Sequence, residues 1–240
     1  MSVRLIAHRG ASADAPANTP EAVTAAAAHG ATDVEVDLHQ TADGHVVVTH
    51  DALHGTRFIS EMTIRDFATS QDDAGHPTVR LVDVVHAASD AGLGLYLDVK
   101  QLLPGGIETV ADVVDRSAAR DRTVFASFRA DLALEAKRLT DLTTSVLFHD
   151  PGLDLNSLVA CTGCDFLHPC FDVFGDPLAH FTPAWLDRAR RTGAGIITWN
   201  TTSDEVADTV LEMGVDGICA DDPAMLVRAV SRRATSPTRG

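Results

Sequence analysis

No run of apolar residues in this 240-residue chain reaches the eighteen or so that a membrane span requires. Basic residues are scarce: 19 Lys and Arg stand against 34 Asp and Glu, a formal net charge of −15. That balance excludes nucleic acid, whose phosphates are bound by Lys and Arg, and gives no attraction to an anionic membrane surface. From Met1 the chain passes directly into a strand-like Val3-Arg-Leu-Ile-Ala7, with no charged and apolar leader regions, so the expected location is the cytoplasm. Cysteine is also sparse, at 161, 164, 170 and 219. Without a leader, disulfides are not expected. Cys161, Cys164, His168 and Cys170 spell C-x2-C-x3-H-x-C, but they crowd into ten residues with no second knuckle, so free thiols are expected rather than a zinc site.

What is present is an ordinary globular composition, 45% hydrophobic and 22% charged, enough for a sizeable core. Short apolar runs recur at 4–7, 32–38, 93–99, 123–127, 144–148, 164–168, 195–199 and 215–219. Helix-like stretches at 20–29, 81–91, 107–119, 131–139, 182–192, 203–213 and 223–231 alternate with them, and a weaker one falls at 153–161. Thr19, Thr182 and Ser203 sit where N-caps belong, and Gly30, Gly92, Gly193 and Gly214 where C-caps belong. A ninth run, 45–49, follows Asp43-Gly44 and reads as a hairpin folded back on the second strand. Eight strands each followed by a helix predict an α/β fold, a single (β/α)8 TIM barrel over residues 1–231. It carries that hairpin, a short inserted loop within 51–80, and a frayed tail at 232–240. A monomer or small homo-oligomer is expected.

In such a barrel the strand C-termini carry the chemistry. The first strand ends in His8-Arg9, the second contains Glu35-Val-Asp37, the third ends Asp98-Val-Lys100, and the hairpin ends His50-Asp51. The two-residue spacing puts Glu35 with Asp37, and Asp98 with Lys100, on one strand face each. Three carboxylates from neighbouring strands make an oxygen-rich site suited to one divalent cation, Mg2+ or Ca2+. Arg9 and Lys100 suit a phosphate. Lysine occurs only at 100 and 137, so its presence at a strand end is selective. His8 and His50 titrate near neutrality and suit acid–base cleavage of a phosphodiester. Any one such Asp serves as readily as an N-cap, and any one such His as a bonded polar residue. Seven together on adjacent strand ends and one hairpin favour a site.

These residues resemble the glycerophosphodiester phosphodiesterases. The match runs through His8-Arg9-Gly10, Ala17-Asn18-Thr19, Glu35-Val-Asp37, Thr41-Ala-Asp-Gly44, His50-Asp51 and Pro77-Thr78. It continues through Asp98-Val-Lys100, Ser127-Phe128, Trp199-Asn200, Gly214-Val-Asp-Gly217 and Asp221-Asp222-Pro223. The resemblance implies the barrel, a divalent metal, and hydrolysis of a small-molecule glycerophosphodiester to glycerol 3-phosphate and an alcohol. It implies His8 and His50 as the acid–base pair, Glu35, Asp37 and Asp98 as metal ligands, Arg9 and Lys100 on phosphate, and Trp199 lining the pocket. The chain departs from the family pattern at Ala17, where Glu is usual, and at Asp98, where Glu is usual. Aspartate at the latter position resembles the sphingomyelin-cleaving branch. Two further readings stand beside this one: a lysophospholipase D-like enzyme, with Phe58, Ile59, Phe171, Val173 and Phe174 as an apolar rim, and a catalytically silent phosphate-binding barrel.

Overall fold

The computed structural model describes residues 3–69 and 78–235. Their elements, in chain order, are β1 (Arg4–Ala7), α1 (Pro20–Ala28), β2 (Asp33–Gln40), β3 (Val46–Val48), β4 (Leu53–His54), β5 (Arg57–Phe58), α2 (Ile64–Thr69) and α3 (Leu81–Ala91). There follow β6 (Gly94–Gln101), α4 (Gly106–Val114), β7 (Val124–Ser127), α5 (Ala130–Leu139), β8 (Thr143–Phe148) and α6 (Leu155–Thr162). The chain ends with β9 (Phe166–Pro169), α7 (Pro183–Arg191), β10 (Gly195–Thr198), α8 (Asp204–Glu212), β11 (Gly217–Ala220) and α9 (Pro223–Thr235).

Eight parallel strands close a barrel in the order β1-β11-β10-β9-β8-β7-β6-β2, with β2 returning to β1. β3 lies antiparallel on β2, pairing Leu38 with Val48. This is the expected TIM barrel with its hairpin. Alternation along each strand sorts the side chains. Val34, Val36 and Leu38 of β2, and Leu95, Leu97 and Val99 of β6, face outward into the layer beneath the helices. Ile6, Tyr96, Ala126, Leu147, Ile197 and Cys219 fill the barrel interior. Continuing each inward row by two residues brings His8 above Ile6, Asp98 above Tyr96, and Trp199 above Ile197. The same pleat that packs the core therefore delivers polar residues to its mouth.

Two boundaries differ from expectation. The inserted segment is not a plain loop: among its described residues lie β4, β5 and α2, and Ile59, Met62 and Phe67 pack a small core of their own against Val47. Elements of two and six residues leave no periodicity for a sequence reading to find. Residues 232–235, expected to fray, continue α9, because Arg232 is held by Asp204 and Asp208 of α8. The sequence match at Pro77 lies outside the described residues, as do residues 236–240.

Candidate active site

The loop after β1 turns sharply. Arg9 and Asn18 both adopt positive φ, 56° and 63°, and Gly10 has φ 84° because its backbone passes against α1. The turn aims the Arg9 backbone N–H at Glu35 Oε2, 2.8 Å away. Asn18 clamps Asp37 from both sides: its amide donates to Asp37 Oδ2 at 2.9 Å and its Oδ1 accepts from the Asp37 N–H at 3.1 Å. Thr19 then caps α1. On the neighbouring strands Asp37 and Asp98 are register partners. Among the described residues, Glu35, Asp37 and Asp98 form the one group whose candidate ligand atoms lie within 4.8 Å of one another.

All three carboxylates are buried. Lys100 bridges two of them, reaching Asp37 Oδ1 at 2.9 Å and also Asp98. Arg9 Nε lies 3.1 Å from Asp37 Oδ2. Burial pushes the Glu35 carboxyl well above its ordinary range, and the neighbouring Asp37 and Asp98 charges push the same way. Asp98 is raised by burial against the pull of Lys100. Asp37 alone is held low, since Lys100 and Arg9 outweigh its burial. Lys100 is held above the ordinary lysine range: Asp98 and Asp37 outweigh burial. A site with more negative groups than cations to balance them suits a hard divalent ion, and Asp98 Oδ1, buried without a hydrogen-bond partner, is an oxygen free to take one.

His8 stands beside this cluster. Its Nε2 is 4.0 Å from Glu35 Oε2, and its Nδ1 is 2.6 Å from Asp221 Oδ1, at the end of β11. That hydrogen bond holds the Asp221 carboxyl down to about 2. Trp199 flanks the His8 ring at 4.9 Å between centroids, and Phe128 follows at 6.4 Å from Trp199, with Lys100 Nζ 5.5 Å from the Phe128 centroid. His50 is placed differently. Its side chain is 46% exposed at the mouth and bonds Asp51 at 2.8 Å, while the Thr49 N–H donates to the Asp37 carbonyl and so tethers this segment to β2.

The model of the glycerophosphoryl diester phosphodiesterase family matches residues 8–225, from the first of these histidines to the start of the last helix. The chain belongs to this family. A glycerophosphodiester phosphodiesterase of Caldanaerobacter subterraneus subsp. tengcongensis is 25% identical over 97% of this chain and 99% of its own length. The crystal structure of a glycerophosphodiester phosphodiesterase from Parabacteroides distasonis superposes with a TM-score of 0.81 at 25% identity, covering 96% of this chain and 97% of the other. An Oleispira antarctica phosphodiesterase, solved with the product sn-glycerol-3-phosphate, shares the fold at a TM-score of 0.82 and 20% identity, covering 95% of this chain and 96% of its own. The protein is thus an enzyme of the phosphoric diester hydrolase class.

In this phosphodiesterase the residues nominated from sequence fall into two groups. His8, Arg9, Glu35, Asp37, Asp98, Lys100 and Trp199 converge on the barrel mouth through the contacts above. His50 sits on the same face but is held only by Asp51 and its backbone. Sequence reasoning gave no role to Asp221 or Asn18, although both lie in matched motifs. Asp221 stands two residues beyond Cys219 on the inward row of β11, and that spacing was the available signal. His168 was considered only as a zinc ligand. Its Nδ1 is committed to the Tyr96 hydroxyl at 2.7 Å, on the barrel axis and away from Cys161, which is exposed on α6.

Proposed function

We propose that this phosphodiesterase hydrolyses glycerophosphodiesters to glycerol 3-phosphate and an alcohol, using one divalent cation, Mg2+ or Ca2+, on Glu35, Asp37 and Asp98. The observation that carries this reading is the buried carboxylate trio set beside His8. When bound, the cation would neutralise non-bridging phosphate oxygens and stabilise the charge that builds in the transition state. Arg9 and Lys100 hold the same phosphate from the rim. One histidine of the His8–His50 pair takes the proton from the attacking oxygen, which bonds to phosphorus: water gives glycerol 3-phosphate directly, whereas the neighbouring glycerol hydroxyl gives a cyclic phosphate that water then opens to glycerol 3-phosphate. The P–O bond to the alcohol breaks, and the other histidine protonates the departing oxygen. Asp221 fixes the His8 ring by accepting from Nδ1, which leaves Nε2 facing the carboxylates and the reacting group. Trp199 walls the pocket against that ring.

The test is direct. Purified protein with glycerophosphocholine should release glycerol 3-phosphate and choline, lose the activity to a chelator, and regain it with Mg2+ or Ca2+. Metal-replete protein that binds the diester without cleaving it would support the silent-barrel reading instead.

One observation favours a second substrate class. Leu53 and Phe58, cross-strand partners in the β4–β5 hairpin, are 49% and 50% exposed, and Val173 and Phe174 after β9 are 58% and 52% exposed. Val173 and Phe174 follow the C-terminus of β9, and Leu53 and Phe58 follow His50-Asp51 in the chain; an acyl chain could rest on such exposed apolar side chains. Ile59 and Phe171, also nominated for such a rim, are core residues instead. A lysophospholipid cleaved faster than glycerophosphocholine would move the assignment to the lysophospholipase D-like reading.

A further inference from the structure

The chain contains a single tyrosine, Tyr96, and it is fully buried in the middle of the barrel. Its hydroxyl reaches across the interior from β6 to touch Ser145 Oγ of β8 and His168 Nδ1 of β9, each at 2.7 Å. His168 is 1% exposed, and its other ring nitrogen, Nε2, is buried with no hydrogen-bond partner. This ring belongs to the wall of a small cavity of about 10 Å³, shared with His8, Glu35, Asp98 and Trp199 and floored by Leu147 and Cys219. The one other orphaned polar atom among those lining residues, apart from the Trp199 indole N–H, is Asp98 Oδ1.

Three orphaned polar atoms, His168 Nε2, Asp98 Oδ1 and the Trp199 indole N–H, belong to residues lining one cavity of this size and define a seat for a single oxygen atom, since about 10–15 Å³ on this measure admits one water with two to four polar partners. Burial, helped by the nearby His8 and Lys100 charges, lowers the His168 pKa to about 3, so the ring is neutral at any working pH. A neutral imidazole has one N–H, and its partners decide which nitrogen carries it. Hydroxyl protons rotate to suit their surroundings. A lone pair on Nε2 would face carboxylates across the cavity and repel them, whereas an N–H there is attracted. The Tyr96 hydroxyl lies within donating distance of both Ser145 Oγ and His168 Nδ1; turning its proton to His168 and accepting from Ser145 gives that second arrangement.

We propose that His168 is a positioning residue for the metal-binding carboxylates: its Nε2–H donates to a water seated in the cavity, and that water donates to Asp98 Oδ1. The Tyr96 hydroxyl sets the required tautomer from below. Each carboxylate oxygen has two lone pairs, so Asp98 Oδ1 can accept this hydrogen bond and still face a cation. Asp98 is then fixed from two sides, by Lys100 at the rim and by His168 from the interior. This rests on the cation reading of the site given above.

The experiment is a calorimetric titration of substrate-free protein with Mg2+ and with Ca2+, comparing wild type with H168F, H168Q and Y96F. H168F keeps a planar aromatic ring, somewhat larger than imidazole, and removes the donor, so its cation affinity should fall roughly 10- to 100-fold, the usual loss when a group orienting a metal ligand is removed. Glutamine restores a neutral N–H donor and should bring affinity back to within a few-fold of wild type. Y96F, which leaves His168 in place, should weaken binding by a smaller factor and covers the case in which H168F does not fold. In wild type, 15N chemical shifts should show His168 neutral and protonated on Nε2. Unchanged cation affinity in folded H168F, H168Q no better than H168F, or a wild-type ring protonated on Nδ1 would each overturn the proposal. Wild-type protein that binds no cation would overturn the metal reading as well, whereas variants matching wild type at a measurable Kd overturn only this inference.

Discussion

At the residue scale, one carboxylate decides how the His8 ring presents itself. Asp221 holds His8 Nδ1 at 2.6 Å and also accepts from Ser12, 3.0 Å away, so the ring is fixed by groups from the two ends of the chain. Asp221 touches no group assigned to the phosphate. Asp221→Asn should therefore lower kcat by roughly two to four orders of magnitude, as when a misoriented histidine loses its acid–base role, while KM changes little. Steady-state kinetics on glycerophosphocholine would show this, and a change confined to KM would refute it. His8→Ala and His50→Ala should each lose a similar factor, and the double mutant little more, because residues acting as a unit are not additive. His50 is the sharper test of the pair. Its side chain is 46% exposed and its hydrogen bond is to a neighbouring exposed Asp51, so its removal costs the fold little. Folded, metal-loaded His50→Ala with wild-type turnover would end the two-histidine mechanism.

At the scale of elements, the site depends on a short loop rather than on the strands alone. The segment between β1 and α1 carries Arg9, Gly10, Asn18 and Thr19, and three of these do something only their backbone allows. A Cβ added to Gly10 would meet the Ala22 Cβ at 2.5 Å and its backbone carbonyl carbon at 2.6 Å, with φ at +84° besides. Gly10→Ala should destabilise by about 2–5 kcal/mol, summing a left-handed backbone with overpacking against a helix. It should also loosen Arg9 from Glu35, so activity should fall more than the unfolded fraction explains. Chemical denaturation alongside an activity assay separates the two effects. Much of this was legible beforehand: the first strand was placed at 4–7 and found there, and Thr19, Thr182 and Ser203 cap the helices they were expected to cap. Local chemistry writes such signals, since a cap or a two-residue alternation involves neighbours in the chain. The Asn18–Asp37 clamp, the Asp221–His8 bond and the Tyr96–His168 bond join residues 19 to 213 positions apart, and only the closed barrel brings them together. β9 illustrates the limit. The sequence places it at 164–168 and it lies at Phe166–Pro169; His168 falls within both ranges, but its partner Tyr96 is 72 positions away, so nothing local marks its role.

At the scale of the whole molecule, the barrel interior works as a stack, apolar below and ionic above, with His168 at the boundary. The position has a thermodynamic signature. An unfolded histidine titrates near 6.5, while in the folded protein the value falls to about 3 through burial. Between those values the unfolded chain binds a proton that the native state refuses. Stability therefore rises with pH across that window, and is lost as pH falls through it, by up to about 1.4 kcal/mol per pH unit. From pH 6.5, where the unfolded histidine is half protonated, to pH 5 that is about 1.6 kcal/mol from one residue. The raised carboxyls of Glu35 and Asp98 act with the opposite sign, because their native forms hold protons that the unfolded chain releases. A total pH profile mixes these terms, so the informative quantity is a difference. Urea unfolding of wild type and H168Q at pH 6.5 and pH 5, in chelator, should show wild type losing about 1.6 kcal/mol more than the variant over that interval. Glutamine does not titrate, and the carboxylates are common to both proteins. Equal losses in the two would mean that His168 accepts a proton in the folded state near its unfolded value. A charged ring could then sit in the barrel centre, and the division into an apolar floor and an ionic mouth would be wrong.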